Sequence, residues 1–89
     1  MAEEWIYQKE KNIEDFILEN IDEFDAVTFE VVTKQGDEFN VVGFWEIAVV
    51  EVVGDCIYDT KTETRVYLDK ENTTESVDAG IIKKWRIKQ

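Results

Sequence analysis

The sequence contains no histidine, one cysteine and only 10 basic residues against 21 acidic ones. The lack of histidine removes the commonest general base and metal ligand, and it excludes Ser-His and Cys-His nucleophiles. A lone cysteine cannot form an internal disulfide, which favours a reducing compartment. Because Cys56 is followed by Ile57 and Tyr58, we expect it to be a small buried hydrophobe rather than a reactive thiol.

Motifs that hold metals or phosphates are also missing. The four glycines are isolated from one another, so none of them forms a phosphate-binding loop. The acidic segment 69–75 lacks the central glycine and the properly spaced closing glutamate of a calcium loop, which indicates a polar turn. Since repeats and Pro/Gly-rich linkers are absent too, the sequence predicts one domain over residues 1–89, with no cofactor, no metal and no enzymatic activity.

Acidic residues dominate the chain before its last strand. Four of the ten bases lie in the last seven positions, so residues 1–82 hold six bases against 21 acids, a net charge of −15. A field of this sign repels nucleic acid and anionic membranes and attracts basic surfaces. We therefore expect a basic protein partner, and no direct contact with nucleic acid or membrane. The first residues lack the basic and apolar regions of a signal peptide, which predicts a cytoplasmic location.

Residues 12–24 carry the clearest helical pattern. Their apolar side chains recur at i, i+3 and i+4 and fall on one arc: Ile13, Phe16, Ile17, Ile21 and Phe24. Asn12 is the predicted N-cap, and Glu14 and Asp15 lie in the first turn, where the helix dipole favours anions. Acids also crowd the last turn, where the same dipole favours Lys or Arg. The segment before the helix fits either a short strand or a helical turn.

After the helix, the pattern changes to alternation and β-branched residues become frequent. The predicted strands cover residues 27–31, 39–53, 56–59, 64–68 and 81–88. Hairpin turns are predicted at 34–37 and 60–63, and Gly54 marks the end of the long strand. That strand would span roughly 50 Å if it were straight, so it must bend, and Gly43 is the natural position for a bulge.

The predicted architecture is α+β, with the N-terminal helix packed on a curled antiparallel sheet of about five strands. In the last strand, Ile81, Trp85 and Ile87 share one face. An order of one helix and five strands, with a long kinked second strand, resembles small SH3-like and Sm-like barrels. That resemblance implies a strongly curled sheet and no particular function.

The candidate binding site is an acidic patch on the outer face of the helix and just beyond it. Its members are Asp15, Glu19, Asp22, Glu23 and Asp25. Five carboxylates over three helical turns are comparable in spacing to the phosphates of a nucleic acid backbone. In size and charge the chain is similar to small acidic proteins that phages use to disable host nucleases, repair enzymes or CRISPR effectors. The similarity implies an inhibitor that mimics DNA in the host cytoplasm.

Basic residues of the last strand allow two interpretations. They are Lys83, Lys84, Arg86 and Lys88, and they surround Trp85. Cations beside an aromatic ring are typical of single-strand nucleic acid binding, but the charge of −15 on residues 1–82 opposes it. We favour internal neutralisation of the acidic helix or of a neighbouring strand.

The sequence also allows a function of a different class from an acidic inhibitor. The acids would then be a solubilising surface only, on a homo-oligomeric module that binds a small ligand or its own copies. Trp5 and Trp45 need not both fit so small a core, so one of them is a candidate interface anchor. Open sheet edges would also favour a homodimer.

Overall fold

The computed structural model describes residues 4–71 and 75–89, which form one helix packed on a five-stranded antiparallel sheet. Helix α1 covers Ile13–Asn20. The strands are β1 (Ile6–Tyr7), β2 (Val27–Thr33), β3 (Glu38–Val53), β4 (Cys56–Leu68) and β5 (Ile82–Ile87). Their order in the sheet is β1-β5-β2-β3-β4. The predicted α+β architecture is therefore confirmed.

The sheet curls but stays open, with β1 and β4 at its two edges. One strand precedes α1 and four strands follow it, so the predicted order of one helix and then five strands, on which the resemblance to SH3-like and Sm-like barrels was based, is not observed. β1 identifies the N-terminal segment as a short strand, because Ile6 and Tyr7 pair with Trp85 and Lys84 of β5. Among the described residues, no helix has the length and apolar character needed to cross a membrane.

Helix α1 begins where the sequence predicts. Asn12 Oδ1 accepts a hydrogen bond from the Glu14 amide at 2.8 Å, as expected for an N-cap. Gln8 Oε1 accepts a second one from the Ile13 amide at 3.0 Å. Two of the amides that a helix leaves unpaired at its start are therefore satisfied by side chains.

The end of α1 differs from the prediction. The helix stops at Asn20, because Ile21 adopts an extended backbone conformation. Residues 21–24 are not helical, and Phe24, expected on the apolar face, lies in a loop and is 92% exposed. Packing of Ile21 against the core continues the apolar face without continuing the helix.

The core lies between α1 and the side of the sheet that faces it. Ile13 and Ile17 of the helix are fully buried there. Phe16 packs beside Phe29 and Trp85, with ring centroids 6.0 and 5.0 Å apart respectively. Trp85 is the largest fully buried side chain, and its indole N–H donates to the Lys11 carbonyl at 3.0 Å. The polar atom of this ring is thus satisfied inside the core.

β3 and β4 form a hairpin whose outer half projects from the rest of the sheet. β2 pairs with β3 only as far as Gly43, whereas β4 pairs with β3 out to Val53. We call residues 46–63 of this hairpin the arm. The molecule is accordingly long, 51 × 29 × 23 Å. Its radius of gyration is 14.9 Å, against about 12 Å for a compact chain of this length.

The arm corrects two predictions. β4 runs without a break from Cys56 to Leu68, so the predicted hairpin at 60–63 is wrong. The turn between the two strands lies at 54–55 instead, where the sequence predicted the end of the long strand. The polar segment 60–63 forms its backbone hydrogen bonds with β3. Much of the arm is exposed to solvent. Cys56 is exposed beside that turn and not buried as expected.

Gly43 has a packing role and does not form the predicted bulge. It stays in register with Val27 of β2 and with β4, and the register shifts lie further out, between Val49 and Val52. A Cβ atom at Gly43 would lie only 2.6 Å from Ile17 Cδ1. The glycine therefore allows α1 to approach the sheet closely.

A register shift also changes which residues of β5 face the core. The shift falls between Val32 and Thr33 of the neighbouring β2. As a result Ile82 and Trp85 are both buried; Ile81, expected on the same face as Trp85, lies in the 3-10 helix Ala79–Ile81 just before the strand and is 46% exposed. The alternation of buried and exposed residues is interrupted in β5, because one extra residue in a strand moves all residues on one side of it to the opposite face of the sheet.

Candidate interaction surface

The five acids of the predicted patch fall into two groups, one on α1 and one in the loop after it. Asp15 and Glu19 are one helical turn apart, and both are exposed. Glu19 forms an ion pair with Lys11. Asp15 has no cation partner within the described residues. The helical group therefore offers one unpaired carboxylate.

The second group lies beyond the helix and does not extend its outer face. Because α1 ends at Asn20, the expected array of five carboxylates over three helical turns is wrong. Asp22 and Asp25 are exposed in the following loop, and Glu23 is half-buried. None of the three has a cation partner in the part of the chain that the structure describes. We call residues 22–25 the acidic loop.

Phe24, at the centre of the acidic loop, is a surface residue that the periodicity assigned to the core. At 92% exposure it is the most exposed large hydrophobic side chain of the described residues. Its φ of 75° lies in the left-handed region, which costs a residue with a side chain on the order of 1–3 kcal/mol. The acids around it were the available signal, since carboxylates at a helix C-terminus disfavour continuing the helix there.

The acidic loop is anchored at its N-terminal end and closed by a hydrogen bond within it. Ile21, just before it, is buried, and its amide donates to the Ile17 carbonyl at 3.1 Å. The Ile21 carbonyl accepts a hydrogen bond from the indole N–H of Trp45 on β3. Within the loop, the Asp25 amide donates to the Asp22 carbonyl at 3.0 Å. These hydrogen bonds hold the backbone of the turn next to the core.

Some of the cations elsewhere on the molecule form ion pairs with other acids. At the base of the arm, Arg65 lies 3.2 Å from Glu46 and 2.7 Å from Glu63. The hydrogen bond to Glu46 and the charge of Glu63 raise the pKa of the Arg65 guanidinium above its ordinary value, so it stays charged. These contacts are exposed and contribute little to stability. The acids at the base of the arm thus form ion pairs, whereas those of the acidic loop form none among the described residues.

The basic residues of the last strand were predicted either to bind nucleic acid or to neutralise acids of the same molecule, and they do not all behave alike. Arg86 forms an ion pair with Glu30 on β2 at 2.7 Å, which is neutralisation by a neighbouring strand. Arg86 and Lys84 also lie over the ring of Trp5, 4.0 and 5.0 Å from its centroid. Lys83 and Lys88 are exposed without an ion pair in the described residues. The structure therefore covers Trp5 with cations, and Trp45 is half-buried against the core.

The acidic loop can form hydrogen bonds and ion pairs with cations and can insert one aromatic ring into an apolar pocket. Within residues 4–71 and 75–89, no three potential metal ligands of the Cys, Asp or Glu type come together. Three residues of the segment 69–75, at positions 72–74, lie outside the described residues. Comparison with known proteins finds no matching family model, no matching curated protein and no matching solved structure.

Proposed function

We propose that this chain is a non-enzymatic binding protein whose acidic surface engages a basic surface of another protein. The observation that carries the proposal is the acidic loop, in which three carboxylates flank an exposed aromatic residue in sequence and have no cation partner among the residues that the structure describes. Exposed aromatic anchors with a polar rim are typical of the residues that dominate binding energy at protein interfaces.

Electrostatics favours this class of partner over the alternatives. A formal net charge of −11 repels nucleic acid phosphates and anionic lipids, and it accelerates encounter with a basic protein. The finer proposal is that the basic surface is the nucleic-acid channel of an enzyme, which the acidic protein blocks as a DNA mimic. Its size and charge are similar to those of phage inhibitors of host nucleases and CRISPR effectors.

The test begins with capture of the partner from a bacterial lysate and its identification by mass spectrometry. Association rates of the purified pair are then measured for wild type and for a loop variant, Asp22→Asn/Glu23→Gln/Asp25→Asn. We expect the loop variant to lose about tenfold or more of the on-rate and to flatten its dependence on salt. Wild type should also compete with nucleic acid for the partner.

A matched control removes the same number of charges elsewhere. Asp37→Asn/Glu38→Gln/Asp69→Asn changes three exposed acids that have no ion pair in the described residues. It should bind within about twofold of wild type, because screening limits the reach of exposed charges to roughly 10 Å. Equal on-rates for the loop and control variants would contradict the proposal.

Self-association is a second candidate, and the arm favours it. Ile47, Val52 and Val53 are 46–57% exposed there, and beyond Gly43 only one edge of β3 is paired. Sedimentation at low and high salt separates the candidates. A homodimer through apolar contacts persists at high salt, whereas a charge-led complex weakens.

A further inference from the structure

A pocket beside β5 reverses the charge character of the rest of the molecule. It encloses about 510 Å³, a volume in the usual range for small-molecule sites. Three lysines line it, Lys9, Lys34 and Lys83. The chain has 10 bases against 21 acids, so three lysines around one pocket are a marked local concentration.

Like Lys70 and Lys88, the three lysines of the pocket form no ion pair with any residue that the structure describes. Within the described residues, Lys11, Lys61, Arg65 and Arg86 form ion pairs, and Lys84 lies over an aromatic ring. The side chains of Lys9, Lys34 and Lys83 have neither kind of contact in that part of the chain.

The backbone ties the three lysines together although they are far apart in sequence. The Gln8 amide, next to Lys9, donates to the Lys83 carbonyl at 3.0 Å. The Lys34 amide donates to the Ile81 carbonyl at 2.9 Å, two residues from Lys83. The pocket is thus framed by hydrogen-bonded segments, which places the lysine side chains around a common volume.

Two carboxylates also line the pocket, and each accepts a hydrogen bond from a neutral donor. Glu14 Oε2 accepts from the Thr64 hydroxyl at 3.0 Å, and Asp78 Oδ1 accepts from the Gly80 amide at 2.8 Å. Neither forms an ion pair with a lysine of the pocket. The lining of the pocket therefore holds three cations and two anions, in a chain whose acids outnumber its bases by 21 to 10.

We propose that this pocket binds a small molecule through its phosphate groups, with Lys9, Lys34 and Lys83 as the cationic contacts. Lysine ammonium groups form charge-assisted hydrogen bonds with phosphate oxygens and adapt to more than one geometry. Ala79 and Ile82 give the pocket an apolar wall for the uncharged part of the ligand. The site is independent of the acidic loop and of the function proposed for it.

The experiment titrates the purified protein with inorganic pyrophosphate, AMP and adenosine, followed by calorimetry and by amide chemical shifts. We expect pyrophosphate, AMP or both to bind at micromolar to low millimolar concentration, with shifts at residues that line the pocket, and adenosine not to bind. Binding of AMP alone identifies a nucleotide as the source of the phosphate. Binding of pyrophosphate alone or with AMP identifies the phosphate group itself as sufficient.

Two double variants of equal charge test the assignment. Lys34→Gln/Lys83→Gln should weaken binding at least tenfold, while Lys70→Gln/Lys88→Gln, which removes two exposed lysines outside the pocket, should stay within twofold. Because all four side chains are exposed, both variants should fold, and their melting temperatures check this. Absence of binding by pyrophosphate and AMP, binding of adenosine alone, or equal weakening in both variants overturns the proposal.

Discussion

The inner and outer halves of β3 belong to one strand, but only the inner half lies within a layered fold. At Val41 the strand has β2 on one side, β4 on the other and α1 across its face, and this side chain is fully buried. At Val53 it has β4 alone, and the side chain is 53% exposed. Both residues are valines with strand backbone conformation. Their burial is therefore set by the surrounding elements and not by their own propensity.

This difference separates the parts of the molecule that hold the fold from those free to act on a partner. In the inner half, each apolar side chain that leaves water contributes about 1.5–3 kcal/mol. In the arm, Ile47, Val52 and Val53 are 46–57% exposed, as expected for a two-stranded ribbon that has no second layer. Mutations in the two halves should consequently differ in their effect on stability, and the following predictions test how sharp that difference is.

The largest loss of stability is expected for Trp85→Ala in the inner half. Trp85 is fully buried, contacts two other rings and donates its indole N–H to the Lys11 carbonyl. Removing it should cost about 3–5 kcal/mol, which is enough to unfold many domains of this size. Chemical denaturation followed by circular dichroism measures the change. A midpoint equal to that of wild type would show that Trp85 does not organise the core.

Gly43→Ala probes the boundary between the two halves. A Cβ atom there would lie 2.6 Å from Ile17 Cδ1 and 3.0 Å from Phe29 Cε2, so α1 or these side chains must shift. We expect a loss of about 1–3 kcal/mol, as for other overpacked cores. The double variant Gly43→Ala/Ile17→Val should recover part of it by making room. If Gly43→Ala alone is neutral, α1 is less tightly seated on the sheet than the structure indicates.

Phe24→Gly, in the acidic loop, should increase stability. The exposed ring buries little apolar surface, and glycine adopts a φ of 75° without steric cost. We expect a gain of about 1 kcal/mol, reduced by the greater entropy of glycine in the unfolded chain. Thermal unfolding of Phe24→Gly and Phe24→Ala together isolates the backbone effect, because alanine removes the ring and keeps the strain. A lower melting temperature for the glycine variant than for the alanine variant would contradict this account.

Local signals in the sequence were sufficient to predict the start of α1 and the first hairpin. Asn12 caps the helix by a bond to an amide two residues away, and the 34–37 turn joins β2 directly to β3. Such features depend on neighbours in sequence. The end of α1, the unbroken β4 and the facing of Ile81 depend on pairing and packing with distant residues, which alternation and helical spacing do not report.

The candidate sites, too, could be predicted only where they depend on neighbours in sequence. Exposure of most of the acidic patch was predictable, since charged residues are rarely buried. The position of Phe24 was not, because its spacing from Ile17 and Ile21 fits a helix that in fact ends first. The lysine pocket was also missed. Its members come from three segments that only the pairing of β1 with β5 and the turn after β2 bring together.

The smallest effect is expected in the outer half of β3, and one substitution made at two positions compares the halves directly. Val41→Thr and Val53→Thr exchange the same methyl group for a hydroxyl in the same strand. At Val41 the hydroxyl would be buried, at a cost of about 1–3 kcal/mol unless it finds a partner.

At Val53 water solvates the hydroxyl, and threonine keeps the β-branched shape that suits a strand, so stability should change by less than about 0.5 kcal/mol. Denaturant midpoints of the two variants, measured side by side, give the difference. Equal losses would mean that the arm is covered in solution, for instance by the arm of a second copy, and sedimentation of Val53→Thr would then detect a weakened dimer.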